Sequence, residues 1–283
     1  MIKNIIVNAD DFGLTNDISD AIIKVFKKGN LSSTTLMTNM PGTDYAIKLA
    51  KENPKLGVGL HFNISEGYSS LGISSITNSK GIFYKKMNLI GRIIFNQIDL
   101  SDVKSELENQ YNYLIKAGIE PTHIDSHQHI HMNPKIFKVV ADFAKTKNIN
   151  IRITFPHTLI RKKGKLNYKK RIKQLILKYA SHKNKNYADK ISIKYNTSFN
   201  SIFDFHPFEF PIENDYQYLI ESSRSELHEL MIHVYEVSHQ LQHLYGANYI
   251  KKKSFIEKAN AEFEVLSRND IFMKYNLITY RDL

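Results

Sequence analysis

Apolar runs of strand length alternate with helix-patterned stretches along the whole chain, which limits it to a βα architecture rather than an all-β or all-α one. Candidate strands lie at 5–9, 33–38, 58–62, 122–126, 149–154, 230–234 and 277–280, with a weaker one at 191–195. Between the first two, Ile18, Ala21, Ile22, Val25 and Phe26 recur at helical spacing, with Asp17 available as a cap and Gly29 as a stop. Val103, Leu107, Tyr111, Leu114 and Ile115 form a second stripe, opened by Ser101 and closed by Gly118. A third begins at Asn133, with Pro134 in the first helical position. The pattern predicts an α/β fold, a (β/α) barrel or a distorted relative of one, with an open doubly wound sheet as second choice. Both carry their sites at the carboxyl ends of the strands, so polar residues just after an apolar run are the ones to inspect.

A chain of 283 residues with 42% hydrophobic content can bury a sizeable core. It has no cysteine, which excludes disulfides and thiolate sites and leaves imidazole and carboxylate to hold any metal. MIKNIIVNADDFG lacks a signal-peptide pattern, so a cytoplasmic location is expected. No apolar stretch approaches the ~20 residues of a bilayer span, so no membrane partner is expected. The net charge of +11 is confined to one place: residues 158–188 hold eleven Lys or Arg and no acid. Setting those eleven aside leaves 28 of the 39 basic residues against 28 acidic ones. The segment reads as a basic helical insertion facing water, with an anion clamp or a nucleic-acid contact as its functional alternatives. Nucleic acid is not the expected partner of the body as a whole.

Asp10 and Asp11 close the run IIVNA, His61 closes VGL, His127 follows HIDS, and His233 closes LMI. An acid pair after a strand is by itself more often a cap or a turn. Four separate strands each delivering such a group is what argues for a site. Adjacent carboxylates in a low-dielectric pocket repel, and a divalent metal relieves this by binding one and leaving the other as a proton acceptor. In THIDSHQHIHMNP, residues His123, Asp125, His127, His129 and His131 alternate, so an extended strand would place them on one face. That density of imidazole suits Zn²⁺ better than Mg²⁺. Asp125 is placed to fix a ligand imidazole's tautomer, whereas His129 and His131 fit a partly solvated strand end as well as any role. One histidine of this segment with His61 and one Asp makes a two-His, one-carboxylate set with open positions.

VNADDFGLT (7–15), VGLHFN (58–63), PTHIDSHQHIHMNP (121–134) and the closing ITYRDL resemble blocks of the YdjC-like carbohydrate deacetylases, the family that includes chitooligosaccharide deacetylase. The likeness runs over nearly the whole length and is weak at 158–225. It implies a single domain over 1–283, a distorted (β/α) barrel of NodB/TIM-like kind, and one divalent metal, for which Mg²⁺ is also permitted. The implied reaction removes the N-acetyl group from N-acetylglucosamine units of short oligosaccharides such as diacetylated chitobiose. Under the resemblance Asp11, His61 and His127 match the metal ligands, Asp10 the base, and His233 in ELMIHVYE the acid. The family's His-Pro-Gly block here reads His233, Val234, Tyr235. Arg152 resembles an arginine near the site and is expected to bind substrate. The expected partner is a small acetylated amino sugar; a homodimer is left open. Two rival readings are a metal phosphoesterase on an anionic substrate and a non-catalytic sugar or nucleic-acid binding protein.

Overall fold

In the first strand, every residue from Ile5 to Phe12 is buried, the signature of a parallel strand covered on both faces. The computed structural model describes residues 3–155, 168–202, 211–221 and 227–283. Its strands are β1 (Asn4–Phe12), β2 (Ser33–Leu36), β3 (Gly57–Phe62), β4 (His123–Ser126), β5 (Asn150–Ile151), β6 (Phe199–Ser201), β7 (Leu227–Ile232) and β8 (Asn276–Leu277). All pairings among them are parallel, in the order β5-β4-β3-β2-β1-β7-β6, with β8 joined to the start of β1. The helices are α1 (Asn16–Lys27), α2 (Thr43–Glu52), α3 (Lys86–Ile94), α4 (Leu100–Lys116), α5 (Pro134–Thr146), α6 (Tyr168–Lys190), α7 (Glu213–Glu221), α8 (His239–Tyr245) and α9 (Tyr249–Arg268).

The sheet curls into a half-barrel within a single α/β domain. Arg152, next to β5 at one edge, bonds to Asp10 on β1 and Glu229 on β7, and its guanidinium lies 5.5 Å from the Phe199 ring on β6 at the other edge. A flat sheet could not bring those strands within one side chain's reach.

Local expectations fare unevenly. Asn133 caps α5 and Pro134 opens it, as the sequence suggests. The cap of α1 is Thr15, not Asp17: Thr15 Oγ1 accepts from Ile18 N at 3.3 Å, while Asp17 sits in the first turn, where a negative charge favours the helix dipole. Likewise Asp99, not Ser101, caps α4 and accepts from Ser101 N. The 149–154 strand shrinks to two residues and the 277–280 strand ends at Leu277, before a short helical turn capped by Thr279. Residues 191–195 give only one bridge, Ile151 to Tyr195, and the strand that follows is β6, three residues long. Of the basic segment, 158–167 lies outside the described residues; the remainder lies in α6, which rests on α5.

Candidate metal centre

Neighbouring residues of a strand point to opposite faces, so Asp10 and Asp11 would not ordinarily serve one site. They do here because the β1–β2 register slips between Ala9 and Phe12, and Asp11 adopts a left-handed φ of 68°. Asp10 keeps the alternation of Asn8, whose amide donates to its Oδ1 at 3.0 Å. The turn is locked by Leu14 N donating to Asp11 O at 3.0 Å and by Gly13 at φ 88°, where a Cβ would meet Met37 O at 3.0 Å. Left-handed backbone at a buried, non-glycine acid is costly and collects at functional sites.

His61 arrives from β3 and His127 directly after β4. His61 Nε2 lies 3.3 Å and His127 Nδ1 2.8 Å from the same oxygen, Asp11 Oδ1. One ligand atom from each of the three residues lies within 4.8 Å of the others, and all three residues are buried. Behind each imidazole stands a carboxylate. His61 Nδ1 donates to Asp125 Oδ1 at 2.7 Å, its register partner on β4, and His127 Nε2 donates to Glu66 Oε2 at 3.1 Å. With the far nitrogens held as donors, a cation that displaced the near protons would meet a lone pair on each near nitrogen beside Asp11 Oδ1, and this donor set fits a divalent cation.

The electrostatics agree. Burial alone would lower the His61 pKa, yet the carboxylates of Asp125 and Asp11 outweigh it and lift it to about 10. His127 is raised against burial by Asp11 and Glu66. Burial would raise Asp11, but His127 and His61 hold it well below the usual carboxylate range. A place that draws protons onto two imidazoles is one that stabilises a cation. A second cluster, Asp10, His61 and Asp125, also converges, but both of its carboxylates are taken by Arg152.

Arg152, expected to bind substrate, spends its described bonds on carboxylates inside the protein. It is fully buried, with its terminal nitrogens on Asp10 at 2.9 and 3.1 Å, a further bond to Asp125, and Nε on Glu229 at 2.7 Å. Against burial, which would raise it, Arg152 and then His61 and His233 bring Asp10 to about 2. Glu229, which also accepts from Tyr280, is raised to about 7 by burial despite Arg152.

His233 Nε2 stands 3.9 Å from Asp11 Oδ2 at the partly open mouth, and its Nδ1 is buried and finds no partner among the described residues. The alternating histidines do not share a strand face: β4 ends at Ser126, and 127–132 is a tight turn with Gln128 and His129 both at φ 56°. His131 is pinned beneath it by Ser126 Oγ at 2.6 Å and Arg152 O at 3.0 Å, His123 stacks on Tyr280, and His129 packs edge-on against Phe199.

Three contributors escaped the sequence reading. Glu66 lies in the loop after β3, shaped by Asn63, whose Oδ1 accepts from Ser65 N and Glu66 N. Lys252 on α9 holds Glu66 at 2.9 Å. Tyr235 donates to Asp11 Oδ2, leaving Oδ1 to face the imidazoles. The only signal for Glu66 was an acid soon after His61, and for Tyr235 its place two residues past His233.

Fold and site together define a parallel α/β half-barrel with a carboxylate–imidazole centre at the carboxyl ends of its strands. The chain belongs to the YdjC-like protein family, whose model matches residues 4–275. It is 42% identical over 149 residues to a carbohydrate deacetylase of Clostridium beijerinckii, a match covering 52% of this chain and 59% of the relative. It is 39% identical over 154 residues to a chitooligosaccharide deacetylase of Yersinia enterocolitica, covering 54% of this chain and 60% of the relative. The matches thus span about three fifths of these relatives' length. A crystal structure from Enterococcus faecalis, described as that of a cellobiose-phosphate cleavage protein, shares the fold with a TM-score of 0.74 at 20% identity, covering 100% of this chain and 99% of that one.

Proposed function

We propose that this chain is a metal-dependent carbohydrate N-deacetylase that removes acetyl from N-acetylglucosamine units of short oligosaccharides of the diacetylchitobiose kind. The observation that carries the reading is the convergence of Asp11, His61 and His127 within 4.8 Å beside an ionised Asp10. The relatives' names supply the substrate class.

In this reading Asp11 Oδ1, His61 Nε2 and His127 Nδ1 hold one divalent ion, and two imidazoles favour Zn²⁺ over Mg²⁺. When bound, such an ion supplies positive charge that polarises an acetamide carbonyl and acidifies water. Asp10 takes the proton from the attacking water. Its clamp by Arg152 keeps the carboxylate ionised and fixed in direction. His233, at the mouth, protonates the departing amine, which is a poor leaving group without that proton. Acetate and the free amino sugar leave.

The phosphoesterase reading would gain from a side-chain cation beside the metal to hold an anionic substrate, and the two cations described at the centre are occupied. Arg152 is closed off by three carboxylates and Lys252 is held by Glu66. Acetate release from diacetylchitobiose by Zn²⁺- or Mg²⁺-loaded protein, with phosphate esters run alongside, tests the proposal. Asp10→Asn is expected to keep metal and lose turnover, and Asp11→Ala and His127→Ala to lose both. Phosphate release without acetate release would overturn it, and normal kcat in Asp10→Asn would remove the assigned base.

A further inference from the structure

Helix α6 is apolar on two sides. One side buries Leu177, Ala180 and Ala188 and ties to the body through Asn184 on Met132 and Tyr187 on Asp142. On the other, Ile172, Leu175, Ile176 and Tyr179 follow the spacing of one helix face and are 52%, 68%, 62% and 60% exposed. Large apolar side chains set next to one another in water mark a contact surface, whereas scattered ones do not.

Along the sequence this segment carries charge of one sign, since residues 158–188 hold eleven Lys or Arg and no acid, and Lys178, Lys183 and Lys185 are exposed on α6. Helix α3 repeats the combination. Met87, Ile94 and Phe95 are 77%, 62% and 74% exposed, and residues 67–98 contain Lys80, Lys85, Lys86 and Arg92 and no acid. Both helices are tied to the turn that carries His127: Lys86 Nζ donates to Gln128 O at 2.7 Å and Asn184 Nδ2 to Met132 O at 3.0 Å.

We propose that α6, seconded by α3, docks this protein on a membrane surface that carries anionic lipids. An apolar stripe flanked by Lys and Arg suits the bilayer interface, where the apolar side chains enter the acyl boundary and the cations meet the headgroups. A second copy of the chain is a poor occupant, since it would set two acid-free basic runs against each other. Nucleic acid offers phosphates but no apolar phase for the stripe. No helix among the described residues is long and apolar enough to cross a membrane, so the contact is peripheral. The expectation of no membrane partner came from the missing span, and a helix lying on a bilayer needs none. The inference stands apart from the deacetylase reading, because it uses no residue of the centre.

Co-sedimentation of the full chain with vesicles of phosphatidylcholine alone, or mixed with phosphatidylglycerol, tests it at low and high salt. Binding is expected only to the mixed vesicles, falling as salt rises. The double variant Leu175→Ser, Ile176→Ser, with its melting curve as folding control, is expected to bind about tenfold more weakly, since two large apolar groups no longer leave water. No binding to the mixed vesicles would overturn the proposal, as would undiminished binding by the folded double variant. So would a concentration-dependent dimer in sedimentation that the double variant abolishes.

Discussion

Glu66 stands behind His127 as Asp125 stands behind His61, yet the two carboxylates differ in how firmly they are held. Asp125 is buried and shared with Arg152, whereas Glu66 sits on a loop and is held by Lys252. Burial would raise the Glu66 pKa, and His127 and Lys252 lower it instead, so it is ionised and accepts the His127 N–H as a charged group. In Glu66→Gln the amide oxygen can still accept that bond, but the charge that strengthens the imidazole as a ligand is gone. Metal affinity by calorimetry is expected to fall about tenfold, with the melting temperature of the metal-free protein little changed. An unaltered affinity would mean that His127 is oriented by the turn alone. Asp10, Asp11 and His61 stood out in the sequence because they close apolar runs and His127 because it follows a strand in a histidine-rich stretch, while the particular set Asp11, His61 and His127 was what the family resemblance implied. Glu66, Lys252 and Tyr235 did not stand out, since their roles arise from how a loop, a distant helix and a strand exit fold over those ends. Arg152 was visible as a residue of interest, but its three carboxylate partners come from three different strands.

At the scale of elements, the centre depends on how closely β3 and β4 approach. Gly59 makes that approach possible: a Cβ there would lie 2.5 Å from the His123 ring and 2.8 Å from His123 O. The ring is itself stacked on Tyr280 at 3.8 Å and cannot swing away freely. Gly59→Ala is therefore expected to cost about 1–3 kcal/mol in urea unfolding, the usual range for an overpacked core. Because β3 also carries His61, metal affinity should fall with it; a variant as stable as the wild type would show that the two strands have slack. The strands and the α5 cap were legible because period and capping chemistry act within a few residues. The end of β4 at Ser126 was legible as well, but the turn after it was not: the alternating histidines would share a face only in an extended strand, whereas Ser126 Oγ bonds both the ring and the backbone N–H of His131 and closes the chain into a turn. Side-chain bonds of that kind compete with a ladder and leave no periodic trace.

For the whole molecule, the centre makes stability depend on pH in opposite ways with and without metal. In the metal-free protein the His61 pKa is raised, from 6.5 to about 10, by carboxylates that outweigh burial. A group raised on folding contributes stability that is fully present below its unfolded value and is lost as pH climbs through the folded one. Asp10, brought down to about 2, does the reverse: its contribution is present above its ordinary value and is lost as pH falls toward 2. Metal-free protein should thus be most stable between those limits and soften from about pH 6.5 toward 10, a window set by His61. A bound cation replaces the imidazole proton, so the alkaline loss disappears, and binding tightens as proton competition eases. Melting curves with Zn²⁺ and with chelator should diverge across that window, by about 2–4 °C for each kcal/mol gained in a chain of this size. His61→Gln should flatten the alkaline slope of the metal-free protein. If that slope persists in the variant, other groups set it, and the charge balance assigned to the centre is wrong.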